Sequence, residues 1–246
     1  MVWPGILVAQ YIDLHCHLLP GLDDGAMDLP TGMDMLKALL DLGFVEICAT
    51  PHQRNGLFIP TLAAMRQALD EFVGEAGKKY PFLRMRLGAE NYWDEVFIER
   101  LREHTVPCYD GRRAFLFEVN PILPPPRLEE ALFEVRLEAY VPVMAHPERC
   151  LAIQRDLGFA ETLGRQTALV VDLESVAGAG QRAENKTARR LVEEGLAHAA
   201  ASDMHRPESA RDVARGMTWI RRRLGEAALA QLLEENPRRI LEGELP

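Results

Sequence analysis

Two histidines separated by one residue, His15 and His17, follow directly on the first apolar segment, Tyr11–Leu14. Side chains two apart on an extended segment point to the same side, so these two imidazoles should lie next to each other. Neutral imidazole is the most frequent protein ligand of catalytic transition metals. Near the other end of the chain, Asp203 and His205 have the same spacing. The two pairs predict a metal site.

Short apolar segments alternate with amphipathic stretches, which predicts parallel strands joined by helical crossovers. Seven strands are expected, over Tyr11–Leu14, Phe44–Ala49, Arg84–Gly88, Ala114–Glu118, Val141–Ala145, Ala168–Leu173 and Ala197–Ala201. Helices are expected over Pro30–Leu42, Pro60–Lys79, Tyr92–His104, Arg127–Ala139, Glu184–Glu194 and much of Pro207–Leu233. Seven strands in 246 residues predict one α/β barrel related to the (β/α)₈ type. We expect a single catalytic domain over residues 11–246, after an N-terminal extension of residues 1–10.

The functional residues of such barrels follow the C-terminal ends of the strands. Residues that can bind metals stand at the ends of the second to fifth predicted strands: His52, Glu90, Glu118 and His146. An unpaired buried carboxylate is costly, and a metal ion would offset that cost. Because the first and last strands of a closed barrel are neighbours, the two histidine-containing pairs should meet. Helix capping or a salt bridge for the glutamates, and a core position for His146, remain the alternatives.

The loop Leu22-Asp23-Asp24-Gly25 supplies further carboxylates close to the first pair of histidines. We take Asp24 as the better ligand candidate, and Asp23 as a turn residue or as support for a ligand. Formation of the turn alone would also explain this sequence. Asp13 is separated from His15 and His17 by an even number of residues, so on an extended strand its side chain should point to the same side. It is therefore a candidate to orient one of the imidazoles.

Cys48 and Arg54 have the C-x₅-R spacing of cysteine-dependent phosphatases. In that chemistry the loop wraps backbone N–H groups around phosphate, usually with glycines. The intervening residues here contain no glycine, and Pro51 removes one donor. Cys48 also lies inside an apolar strand, where a thiolate is disfavoured. We therefore do not expect a cysteine nucleophile.

The chain has 28 basic and 37 acidic residues, a formal net charge of −9. Binding to a phosphate backbone needs clustered Lys and Arg, and we interpret the densest basic run, Arg221-Arg222-Arg223, as a solvated helix face, so no nucleic-acid partner is expected. The four cysteines form no C-x-x-C pair, which favours the reducing cytoplasm. No apolar run approaches the ~18 residues of a membrane span, so membrane insertion is not expected.

Taken in order, these motifs resemble the polymerase-and-histidinol-phosphatase (PHP) superfamily, and within it the bacterial capsule and exopolysaccharide-type protein-tyrosine phosphatases. The resemblance covers residues 11–243. It rests on His15-x-His17, Asp23-Asp24-Gly25, Thr50-Pro51-His52, Gly88-x-Glu90, Glu118, Ala145-His146-Pro147-Glu148-Arg149, Ser202-Asp203-x-His205 and the ending Glu235–Gly243. Two segments depart from the family pattern: Gln53 replaces a frequent histidine, and Asp172 with Glu174 makes the exit of the sixth strand acidic.

The resemblance implies a distorted TIM-like (β/α)₇ barrel of the PHP type that holds three divalent metal ions, commonly manganese, with iron, zinc or cobalt as alternatives. Carried over by position, the first ion would have His15, His17, Glu90 and Asp203. Glu90 would bridge to a second ion bound by Glu118 and His146. Asp24, His52 and His205 would hold the third. Arg149, and less strongly Arg206, would contact phosphate.

The expected reaction is hydrolysis of phosphotyrosine on a protein by attack of a metal-bound hydroxide. Three divalent ions and four carboxylate ligands would leave a net positive site that attracts phosphate within an acidic protein. The resemblance points to a tyrosine autokinase of polysaccharide export as the substrate. The alternatives are a histidinol-phosphate or other small-molecule phosphatase, an amidohydrolase-type metal hydrolase, and a non-catalytic barrel.

Overall fold

The computed structural model describes residues 10–246. Its strands are β1 Tyr11–Cys16, β2 Phe44–Ala49, β3 His52–Gln53, β4 Arg84–Leu87, β5 Glu90–Tyr92, β6 Ala114–Glu118, β7 Val141–Ala145, β8 Ala168–Asp172 and β9 Ala199–Ala201. Its helices are α1 Leu29–Asp41, α2 Leu62–Ala76, α3 Glu95–Arg102, α4 Leu128–Leu137, α5 Leu151–Arg155, α6 Leu157–Gly164, α7 Leu173–Ala177, α8 Arg182–Glu193, α9 Ala210–Leu224, α10 Glu226–Ala230 and α11 Asn236–Glu242. Apart from Gln10, the expected N-terminal extension lies outside the described residues.

All strand pairs are parallel and form two sheets, β1-β2-β4 and β3-β5-β6-β7-β8-β9. The second and third predicted strands are each divided into two observed strands. Strands β2 and β4 belong to the first sheet, and their continuations β3 and β5 belong to the second. A bridge between Cys16 and Met204 joins the remaining edges, where Asp203 N–H donates to the His15 carbonyl at 2.9 Å. The predicted seven-stranded, distorted (β/α) barrel is confirmed.

The two interruptions have local causes. Between β2 and β3, Pro51 lacks a backbone N–H and cannot continue the ladder. Between β4 and β5, a Cβ on Gly88 would lie 2.8 Å from the ring of Tyr109. That ring is fully buried, and its hydroxyl donates to the Leu14 carbonyl at 2.9 Å. The inward packing of Tyr109 therefore requires glycine at position 88 and separates β4 from β5.

Alternation along β6 to β9 places small and branched side chains inside the barrel. The inner cluster includes Leu116, Val143, Val170 and Ala199, together with Ile240 from α11. By the same parity, the last residues of β6 and β8, Glu118 and Asp172, face the interior at the carboxyl end of the barrel. The strand alternation thus carries the carboxylates to the same end of the barrel.

Helices α2, α3 and α4 are shorter than expected from the sequence, whereas α1 and α8 begin one and two residues earlier than expected. Helix α3 begins at Glu95 because the Asp94 carboxylate accepts the Phe97 N–H at 2.9 Å, as an N-cap does. Periodicity predicts no helix between β7 and β8, whereas the structure has α5 and α6 there. Helices of five and eight residues are too short to show a helical period.

Candidate metal centre

All nine predicted ligands lie together at the carboxyl end of the barrel. Their donor atoms form three overlapping groups: His15, His17, Glu90 and Asp203; His17, Asp24, His52 and His205; and His52, Glu90 and Glu118. His146 adjoins them, with its Nε2 atom 2.7 Å from Glu90 Oε1. The two histidine-containing pairs from the first and last strands meet as expected, since the rings of His17 and His205 stack at 4.0 Å.

The first group is fully enclosed and has the geometry of a four-ligand site. The Nε2 atom of His15 lies 2.9 Å from His17 Nε2 and 3.1 and 3.2 Å from carboxylate oxygens of Glu90 and Asp203. His17 Nε2 lies 3.3 and 3.5 Å from the same two oxygens. Ligands at ~2.1 Å from a tetrahedral ion are ~3.4 Å apart. The four atoms therefore surround a space suited to a divalent metal.

In His17 and His205, a hydrogen bond at Nδ1 fixes which ring nitrogen faces the other ligands. His17 Nδ1–H donates to Asp23 Oδ2 at 2.7 Å, and His205 Nδ1–H donates to the Asp203 carbonyl at 2.8 Å. In both rings Nε2 is then left as the lone-pair donor. Asp23 also accepts the His52 N–H at 3.0 Å and the Gly25 N–H at 3.0 Å. Asp23 is therefore a support for His17 rather than only a turn residue.

The expectation that Asp13 orients an imidazole is wrong. Its carboxylate accepts the backbone N–H and the hydroxyl of Ser202, at 3.0 and 2.5 Å, and the His15 N–H at 3.4 Å. The β1–β2 pairing is irregular between Asp13 and Cys16, so the parity argument fails across that register shift. Asp13 fastens β1 to the strand-end loop that carries Asp203.

The second and third groups share ligands more closely than the resemblance implies. His52 Nδ1 lies 2.9 Å from Glu90 Oε2, and its Nε2 lies 3.4 Å from Asp24, so this ring stands between two candidate ion positions. Asp24 is also 3.6 Å from His205 Nε2, and 58% of its side chain is exposed, which opens this group to solvent. His146 Nε2 is 4.0 Å from Glu118 Oε2.

Two of the candidate ligands hold left-handed backbone conformations, which non-glycine residues rarely adopt. His146 has φ 34° and Asp203 has φ 49°. Each follows the last residues of its strand, and the reversal of φ turns its side chain toward the other ligands. Strained backbone of this kind is concentrated at functional sites.

Five buried atoms of the cluster have no hydrogen-bond partner among the described residues: His15 Nδ1, His52 Nδ1, Glu90 Oε2, Glu118 Oε1 and Asp203 Oδ1. An unpaired buried polar group costs ~1–3 kcal/mol, and most buried polar groups have partners for that reason. Three of these atoms are carboxylate oxygens that face imidazole nitrogens. Divalent cations among them would satisfy these oxygens, so the residues present fit a metal centre.

The charges in this cluster influence one another strongly. Burial alone would raise the pKa of Asp203, but neighbouring positive charges, first that of His15 and then that of Arg149, hold that pKa well below its ordinary range. Burial and then the charge of Glu90 raise the pKa of Glu118. Carboxylates that are crowded in this way need a positive partner, which bound cations would provide.

The predicted phosphate-contacting arginines differ in their surroundings. Arg149 donates from Nη2 to Asp172 Oδ2 at 2.6 Å and to Asp203 Oδ2 at 2.5 Å, so its charge is already shared by two carboxylates. Arg206 is exposed and forms no ion pair within residues 10–246. Asp172, which with Glu174 makes the exit of the sixth predicted strand acidic, is buried and positions Arg149. Nothing in the sequence predicts the contact between Arg149 and Asp172.

Cys48 is fully buried in β2, and burial raises the pKa of its thiol well above the ordinary value. A thiol in that state is a poor nucleophile. The structure thus agrees with the rejection of a cysteine-dependent phosphatase.

A parallel α/β barrel with an imidazole and carboxylate cluster at the carboxyl ends of its strands is the arrangement of barrel metal hydrolases. The chain belongs to the capsular polysaccharide synthesis CpsB/CapC family, whose family model matches residues 11–242. The resemblance to capsule-type phosphatases is thereby confirmed.

Relatives named as tyrosine-protein phosphatases agree with this assignment. The chain is 30% identical over 236 residues to the tyrosine-protein phosphatase YwqE of Bacillus subtilis, which covers 95% of this chain and 92% of YwqE. It is 26% identical to the tyrosine-protein phosphatase CpsB of Streptococcus agalactiae, over 94% of this chain and 98% of CpsB.

Solved structures show the same fold. A crystal structure reported for YwqE from Bacillus subtilis and CpsB from Streptococcus pneumoniae, described as metal-dependent tyrosine phosphatases, superposes with a TM-score of 0.85 at 28% identity over 95% of both chains. Histidinol phosphate phosphatase from Lactococcus lactis gives a TM-score of 0.56 at 16% identity over 87% of this chain and 94% of that chain, which reflects the fold alone. Within residues 10–246, none of the helices has the length and apolar character needed to cross a bilayer.

Proposed function

We propose that this protein is a metal-dependent phosphatase that removes phosphate from phosphotyrosine in proteins. The observation that carries the proposal is the enclosed group of His15, His17, Glu90 and Asp203, whose donor atoms converge at 2.9 to 3.5 Å. The tyrosine-protein phosphatases to which the chain is similar support the choice of substrate.

The proposed centre holds three divalent ions, with manganese as the first candidate and iron, zinc or cobalt as alternatives. His15, His17, Glu90 and Asp203 would bind one ion. Glu90, Glu118, His146 and the shared ring of His52 would bind another, and Asp24, His52 and His205 would bind the third. When bound, such ions lower the pKa of water toward neutrality and neutralise charge on a phosphoryl group.

The protein's own groups set the geometry around that chemistry. Asp23 keeps the Nε2 atom of His17 as a lone-pair donor, and Arg149 fixes Asp203 while part of its side chain reaches solvent. The phenolate that leaves phosphotyrosine has a pKa of ~10, so it needs less proton donation than an alkoxide. A buried general acid dedicated to the leaving group is therefore not required.

The proposed substrate is a tyrosine autokinase of polysaccharide export, and the proposed location is the cytoplasm. The family description, capsular polysaccharide synthesis, supports this partner. The buried free cysteines Cys16, Cys48 and Cys150 agree with a reducing compartment.

The test is hydrolysis of a phosphotyrosyl peptide by the purified protein, before and after chelation, with metal analysis of the same samples. We expect activity to follow metal content, and His17→Ala or Asp203→Ala to abolish it in a chain that keeps its circular dichroism spectrum. Full activity in a metal-free sample would contradict the proposal. Faster turnover of histidinol phosphate than of phosphotyrosine would transfer the protein to the small-molecule phosphatases.

A further inference from the structure

A small cavity of about 150 Å³ opens beside the metal-ligand cluster. Its lining includes the two candidate ligands Glu118 and His146, two arginines, Arg54 and Arg149, and Tyr92. Val119 and Pro121 contribute to its apolar wall. A small anion in this cavity would lie beside two candidate metal ligands and between two cationic side chains.

The two arginines do not offer the cavity the same charge. Arg149 is held by the carboxylates of Asp172 and Asp203 at 2.6 and 2.5 Å. Arg54 has no carboxylate ion pair within residues 10–246, and its guanidinium lies over the ring of Tyr92, 4.3 Å from the centroid. A cation over an aromatic face keeps its N–H donors available at its edges. Arg54 is therefore the less neutralised of the two cations.

The position of Arg54 is set before any ligand arrives. The backbone N–H of Arg54 donates to the Phe58 carbonyl at 2.7 Å, and the backbone N–H of Phe58 donates to the Arg54 carbonyl at 3.0 Å. The next residue, Asn55, donates from its backbone N–H to Asp94 at 3.0 Å, which ties the loop to the start of α3. Phe58 in turn stacks on the candidate ligand His52, with centroids 5.7 Å apart. Preorganised donors lose little entropy when they bind an anion.

We propose that Arg54, held on Tyr92, is a phosphate-binding residue that contacts the phosphoryl oxygens of the substrate from the cavity beside Glu118. The inference rests on the proposed phosphatase function and deepens it. It differs from the resemblance, which implies phosphate contacts from Arg149 and Arg206, because Arg149 chiefly fixes Asp203 while Arg54 supplies the available positive charge. Guanidinium binds phosphate through two parallel hydrogen bonds, which ammonium cannot do.

The experiment compares Arg54→Gln and Arg54→Lys with the wild-type protein and with Arg222→Gln. Arg222 is exposed on α9, so its substitution makes the same change in net charge without touching the cavity. Each manganese-loaded protein is titrated calorimetrically with inorganic phosphate, its metal content is determined, and KM and kcat are measured with a phosphotyrosyl peptide. A charge-assisted contact predicts a loss of phosphate affinity of about 10- to 100-fold in Arg54→Gln, partial recovery in Arg54→Lys, and unchanged metal content in both.

Phosphate affinity that stays at the wild-type value in Arg54→Gln overturns the inference. Loss of both metal and activity in Arg54→Gln also overturns the inference, because Arg54 would then stabilise the metal ligands and not bind phosphate. A raised KM for the peptide with unchanged phosphate affinity would assign Arg54 to the peptide chain, again against the inference. If the wild type does not hydrolyse phosphotyrosine, the proposed function fails, while the phosphate titration still decides the role of Arg54.

Discussion

The support that Asp23 gives to His17 can be tested by a substitution that removes only its charge. The carboxylate accepts three hydrogen bonds, from His17 Nδ1 at 2.7 Å and from the backbone N–H groups of His52 and Gly25 at 3.0 Å each. Asp23→Asn keeps the size of the side chain but weakens its hold on the imidazole. Removal of such a support typically lowers metal affinity 10- to 100-fold, which is about 1.4–2.8 kcal/mol.

The affinity of each variant for manganese is measured by competition with a chromophoric chelator. Its phosphatase activity is then measured as a function of added manganese. Because a support is weakened and no ligand is lost, excess metal should restore the activity of Asp23→Asn, whereas His17→Ala should stay inactive. Asp28→Asn is the matched control, since Asp28 caps α1 by accepting the Thr31 N–H at 2.9 Å and lies in the same loop. Unchanged metal affinity in Asp23→Asn, or inactivity that excess metal does not reverse, would refute the reasoning.

Three further predictions concern Cys48, Gly25 and His198. Cys48→Ala should leave turnover of phosphotyrosine unchanged, and a loss of turnover with metal content intact would reinstate a cysteine mechanism. Gly25→Ala should abolish metal binding, as read by metal analysis, because the new Cβ would lie 2.1 Å from the His17 carbonyl oxygen. Burial lowers the pKa of His198 to about 4, whereas the unfolded chain takes up this proton near ~6.5. The contribution of His198 to the free energy of unfolding is therefore fully present above pH ~6.5. It falls with decreasing pH, by about 2 kcal/mol between pH 7 and pH 5. His198→Asn, which keeps an acceptor for Leu169 N–H, should remove that part of the pH dependence in urea denaturation.

Except for Asp24, which lies in the loop after β1, the candidate ligands could be predicted because each lies at or just after the end of an apolar strand and therefore at a known end of the barrel. Glu118 is such a case: its parity with Leu116 carries it to the interior, and nothing beyond the alternation of β6 is needed. The meeting of His17 and His205 followed from closure of the barrel. Those inferences depend on the period of a strand and on the order of the strands, both of which are legible in the sequence.

Pairings that depend on a local turn could not be predicted. Arg149 contacts Asp172 and Asp203 from the turn that follows β7, where His146 has a left-handed conformation that the sequence does not predict. Arg54 and Tyr92 are far apart in the sequence and meet because β3 and β5 pair, although these strands have only two and three residues. Strands this short leave no periodic signal.

The balance of charge around the cluster argues that phosphate and metal must bind together. Six carboxylates surround the site: Asp23, Asp24, Glu90, Glu118, Asp172 and Asp203. The charge of Arg149 is shared between two of them, so without cations the cluster would repel a phosphate dianion. Divalent ions reverse that sign, and coupling between two ligands is reciprocal. Phosphate should therefore raise the affinity of the site for metal, and added inorganic phosphate should slow the loss of manganese to a chelator. Equal rates of loss with and without phosphate would mean that phosphate binds away from the ions.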